Sequence, residues 1–117
     1  MTAKDLRIGN MITYKSAADT NELMEVSVGC LYRIEENPDG YDPIQTTGDE
    51  LTKLGFKVSE ENDDWMVKEN LTMTKDGRSV CFGYEHHWKN IGMMCKYVHK
   101  VQNLYFAITE EELDYKN

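Results

Sequence analysis

The sequence predicts an α+β fold: one compact domain over residues 1–117, built from a mostly antiparallel sheet and two short helices. Three observations lead there. Several stretches alternate apolar and polar residues with the period of two of a half-buried strand. Two stretches carry the three-to-four spacing of an amphipathic helix. Tight-turn residues, Asp76-Gly77 the clearest, join neighbouring strands as hairpins.

Residues 7–14 read as a strand turning on Gly9 or Asn10 and ending in β-favouring Ile12, Thr13 and Tyr14. Residues 15–23 form a loop. Over residues 24–34 Met24, Val26, Val28 and Cys30 alternate with Glu25, Ser27 and Gly29, so a second strand is expected, paired with the first. Asn37-Pro38-Asp39-Gly40 is a tight turn.

Thr47 and Glu50 have capping-box spacing ahead of Leu51 and Leu54, which predicts a helix over about residues 48–54 ending at Gly55. Phe56 and Val58 open a strand, and the acidic residues 60–64 form a solvated hairpin loop. Residues 65–67, 71–74 and 78–84 are further strands, the last with Val80 and Phe82 on one face and Cys81 and Gly83 on the other. Val98, Val101, Tyr105 and Ile108 then step by 3, 4 and 3, predicting a helix over about residues 97–107. The final nine residues, with Leu113 and Tyr115, are expected as a terminal strand.

An apolar fraction of 40% with 8 glycines excludes a disordered or collagen-like chain. No apolar run reaches the length of a membrane span, and no basic-then-apolar start suggests export, so the cytoplasm is the expected compartment. Cys30, Cys81 and Cys95 lack CxxC spacing and read as buried thiols.

The net charge of -8 disfavours duplex nucleic acid and anionic membranes as partners. Its distribution is uneven: residues 1–57, 58–77, 78–108 and 109–117 carry -4, -4, +3 and -3. The one basic segment also holds all three histidines, His86, His87 and His99, and six aromatic residues. Within it Arg78, Lys89, Lys96 and Lys100 offer charge to an anion, and Tyr84, Trp88 and Tyr97 offer flat faces, with His87 among them. These eight residues are the candidate binding site. The plainer reading makes the lysines the wet face of a helix, with Tyr105 and Phe106 partly in the core and Trp88 packed under a loop.

Catalytic chemistry finds little support. A zinc site from Glu85, His86, His87 and His99 needs three or four converging ligands, and adjacent histidines on a strand point to opposite faces. Loop histidines facing solvent are the simpler expectation. Cys81 or Cys95 with His99 is the sole nucleophile pairing, without a surrounding signature. The acidic run lacks the glycine of a calcium loop, and glycine-rich phosphate cradles are absent, so no metal or cofactor is expected.

Three stretches carry a resemblance: residues 5–10 (DLRIGN), residues 43–56 from Pro43-Ile44 to Leu54-Gly55-Phe56, and residues 96–109 (KYVHKVQNLYFAIT) followed by Glu111-Glu112-Leu113. Together they resemble a family of small proteins met in gut Bacteroidota and in their phages and prophages. Val101 stands where that family suggests leucine, and Glu110 where it suggests glycine. The resemblance implies a single-domain accessory protein of mobile elements and transfers no catalytic residue. The expectation is a non-catalytic binding module that recognises a host protein or self-associates; the alternative is a protein sequestering an anionic, nucleotide-derived signal.

Overall fold

The computed structural model describes residues 1–18, 20–84 and 87–116. The fold is α+β with antiparallel strand pairing throughout. The chain divides into two compact units, residues 1–44 and 45–117.

In the first unit, β1 (Met11–Lys15) lies between β2 (Asn21–Glu25) and β3 (Tyr41–Pro43). The register runs from Met11 opposite Glu25 to Lys15 opposite Asn21. The chain then departs from the expected strand: α1 spans Val28–Glu36. Its start is set by Ser27, whose hydroxyl accepts from the Cys30 amide at 3.4 Å, the N-cap arrangement that satisfies an otherwise orphaned donor. Val26 before the cap and Leu31 in the first turn join one apolar cluster, as in a hydrophobic staple. The alternation of residues 24–30 is a coincidence of two periods. Cys30 and Ile34, one helical turn apart, are buried, while Val28, which a strand would have buried, is 56% exposed.

In the second unit, α2 (Gly48–Lys53) forms where its capping box predicts, the Thr47 hydroxyl accepting from the Glu50 amide at 3.1 Å. It buries Leu51 and ends in a complete Schellman motif: Phe56 N–H donates to the Leu51 carbonyl and Gly55 N–H to that of Thr52, both at 3.0 Å. Gly55 takes φ +93°, which a side chain would resist.

A five-stranded meander follows: β4 (Lys57–Val58), β5 (Trp65–Lys68), β6 (Leu71–Thr74), β7 (Val80–Tyr84) and β8 (His87–Asn90), in spatial order β4-β5-β6-β7-β8. Residues 87–90 thus form a strand the sequence reading did not distinguish. Directly opposed residues share a face, so Met66, Leu71, Met73 and Val80 line one side of the sheet, and all four are buried.

The last helix, α3 (Val98–Thr109), buries Val98, Val101 and Tyr105 as its spacing predicts, and His99 and Gln102 as well. It ends on Glu110 in the left-handed conformation, φ 61°. The expected terminal strand is absent: among the described residues, 110–116 pair with no strand. The tail is held instead by burial of Leu113 and by the Lys116 amide, which donates to the Lys53 carbonyl at 2.8 Å. That carbonyl belongs to the last turn of α2 and has no acceptor role within its own helix.

Candidate functional site

The eight candidate residues fall into two groups at opposite ends of β7. Arg78 sits in the β6–β7 hairpin, exposed and paired with Asp76 at 3.4 Å. Beside it, the Cys95 amide donates to the Gly77 carbonyl at 2.8 Å, and a Cβ at Gly77 would stand 2.0 Å from the Cys95 carbonyl oxygen. That close approach brings Lys96, Tyr97 and Lys100 to the Arg78 end. Lys96 is exposed, while Tyr97 and Lys100 are half-buried. Tyr97 stacks parallel to His99, ring centroids 5.8 Å apart.

The second group stands at the far end of the sheet. Tyr84 closes β7 opposite His87, its side chain outside what is described, as are Glu85 and His86. Trp88 opposes Gly83 and Lys89 opposes Phe82. Arg78 and Trp88 are therefore about 17 Å apart along the strand direction alone, at roughly 3.3 Å per residue. The structure does not gather Arg78, Trp88, Lys96 and Lys100 into one concave surface. Within the second group His87 and Lys89 point to one face of β8 and Trp88 to the other.

His99 is not a solvent-facing loop residue: it is 2% exposed in the first turn of α3. His87 is exposed but belongs to β8, and His86 lies outside the described residues. Among the described residues no three His, Cys, Asp or Glu side chains are placed to hold a metal ion. Cys30 and Cys95 are buried, but Cys81 is only half-buried.

Cys81 belongs to a feature that the sequence reading missed. The sheet face opposite the core carries an open groove of about 820 Å³. Val67, Thr72 and Cys81 form its floor, Trp65 and Trp88 stand over it, and Lys57 with Glu60 and Glu61 edge it. The register explains the grouping, since Lys57, Val67, Thr72, Cys81 and Asn90 lie in one row across five strands. The Thr72 hydroxyl spends its proton on the Met66 carbonyl at 2.9 Å, leaving the floor largely apolar. The signal was present in sequence: Trp65, Val67, Thr72 and Cys81 are the alternate residues of their strands. Without the cross-strand register they could not be assembled.

Trp65 and Trp88 are separated by three strand spacings of about 4.8 Å and, through Thr74, Ser79 and Gly83, by four residues of about 3.3 Å along the strands. Their Cα atoms are thus roughly 19 Å apart. Burial pushes the Cys81 thiol up, and it pushes Cys95 up to about 11, the Lys100 ammonium offsetting only part of the effect. A reactive cysteine needs the opposite shift.

No protein-family model, curated protein or solved structure matches the chain. Among the described residues no helix is long and apolar enough to cross a membrane.

Proposed function

We propose that the protein is a non-catalytic binding module, of the accessory kind implied by the resemblance, which recognises an extended segment of a partner protein along the open face of its five-stranded sheet. The spacing of Trp65 and Trp88 carries this reading. Side chains stand roughly perpendicular to a sheet, so the rings stay far apart. Sandwiching one ring between them would need their centroids within about 14 Å, twice the usual stacking limit. About six extended residues, at roughly 3.3 Å each, span the gap. An elongated peptide therefore suits the groove better than a compact nucleotide. The groove volume also falls within the usual range for a preformed binding site. The raised thiols of Cys81 and Cys95 argue against a cysteine nucleophile.

Cys81 reports on occupancy, because a ligand lying across the floor must shield it. Hexapeptides selected from a displayed linear library are expected to slow maleimide alkylation of Cys81 about tenfold in wild-type protein and to lose that effect in Trp65→Ala. Protection of Cys81 by mononucleotides and by no peptide, or peptide protection that survives Trp65→Ala, would overturn the reading.

A further inference from the structure

The edge of the same sheet offers a second recognition surface, independent of the groove floor. β8 is outermost in the strand order, and His87, Lys89 and Asn90 are exposed. The direction of its backbone groups follows from two bonds. Ile91 N–H donates to the Val80 carbonyl at 3.0 Å, and Gly83 N–H donates to the Asn70 carbonyl at 2.9 Å. In an antiparallel pair, hydrogen-bonded and non-bonded positions alternate. Val80, Phe82 and Tyr84 therefore turn their backbone groups toward β8, and Lys89 and His87 answer them. Trp88 and Asn90 turn theirs outward, presenting two N–H donors and two carbonyl acceptors at the sheet edge.

We propose that β8 accepts an added strand from a partner protein, one that alternates acidic and apolar residues. Residues of the incoming strand opposite Trp88 and Asn90 make the backbone pairs, and on that face the Trp88 ring favours an apolar side chain. Residues opposite His87 and Lys89 occupy the closer, non-bonded positions, where Cα atoms lie about 4.5 Å apart and an acidic side chain meets the Lys89 ammonium. Lys89 carries that sign by itself: its side chain is exposed on this face, while Arg78, Lys96 and Lys100 lie toward the other end of the sheet. A second copy of this chain is a poorer occupant, because a twofold pairing centred on Lys89 sets two lysines directly opposite each other and one centred on Trp88 sets Lys89 opposite His87, so neither gives the ammonium a carboxylate.

The test uses capped octapeptides of alternating glutamate and valine, followed by fluorescence anisotropy of a label on the peptide. The glutamate–valine peptide is expected to bind, and its lysine–valine counterpart to bind at least tenfold more weakly. Lys89→Glu, at an exposed position, should reverse that preference. Backbone direction gives a sharper criterion: N-methylation of the valine amides, which face β8, abolishes binding, whereas N-methylation of the glutamate amides, which face away, leaves it within about twofold. Trp65→Ala should leave octapeptide binding unchanged while removing Cys81 protection by groove ligands, which separates this site from the groove. Equal affinity for the two N-methylated peptides, indifference to the charge reversal, or light scattering that shows a dimer dissociated by Lys89→Glu would each overturn the proposal.

Discussion

The Tyr115 hydroxyl donates to the Glu50 carboxylate at 2.5 Å, joining the C-terminal tail to the first turn of α2 across 65 residues of sequence. The contact is reinforced on both sides. Lys53, which pairs with Glu50 at 3.5 Å, also lies 5.7 Å from the centre of the Tyr115 ring. The charged acceptor makes this hydrogen bond stronger than a neutral one.

Tyr115→Phe keeps the ring and removes only the donor. It is expected to lower unfolding stability by about 1.5 kcal/mol, the usual worth of a hydrogen bond to a charged group. Urea denaturation of the variant should show a lower midpoint with an unchanged slope, and limited proteolysis should cut its tail faster. A midpoint equal to wild type would show that Leu113 and the Lys116 amide hold the tail without the Tyr115 hydroxyl.

Alkaline pH tests the same contact together with that of Tyr105, whose hydroxyl donates to Glu69 at 3.1 Å. Burial, then the hydrogen bond and charge of Glu69, push Tyr105 up to about 12; burial, then Glu50, push Tyr115 further up. An unfolded tyrosine ionises near pH 10, so above that pH the unfolded chain binds fewer protons than the folded one. Stability from these two groups is therefore fully present below about pH 10 and is lost as the pH climbs through about 12. Denaturant midpoints measured from pH 8 to 11.5 should be flat and then fall. Phenolate absorbance of both tyrosines should rise only with unfolding, and the double phenylalanine variant should flatten the fall.

The sequence was most informative where one local signal sufficed. Thr47, Glu50 and Gly55 define α2 by caps and turn chemistry alone, and the 3-4-3 spacing of Val98, Val101, Tyr105 and Ile108 defines α3. It misled where two periods agreed: residues 24–30 satisfy alternation and a helical turn equally, and the decision fell to the Ser27 cap and to the burial of Ile34. The tail failed for another reason. Leu113 and Tyr115 suit a strand, but burial and side-chain bonding to α2 hold them without one. For the binding residues, nearness in sequence stood in for nearness in space. Arg78 and Trp88 belong to one basic segment yet lie at opposite ends of β7, whereas Trp65 and Cys81, remote in sequence, share a groove.

Glu110 invites a gain rather than a loss. Its φ of 61° places a side chain where glycine fits without strain. Glu110→Gly is expected to add about 1 kcal/mol and to raise the melting temperature by roughly 4 °C in calorimetry. A decrease would mean that the glutamate side chain contributes more than its backbone strain costs.

The tie between Gly77 and Cys95 is part of a larger knot. The Thr46 hydroxyl donates to the Cys95 carbonyl at 2.6 Å, and the Thr46 amide donates to that of Lys96 at 2.8 Å. Three segments far apart in order of synthesis thus meet at residues 95 and 96. On the ribosome, the hairpin around Gly77 emerges with its docking surface vacant, and the residues preceding α2 wait for the same late arrival. The second unit closes only when the ninety-fifth residue has cleared the exit, so the hairpin and the start of α2 cannot settle as they emerge.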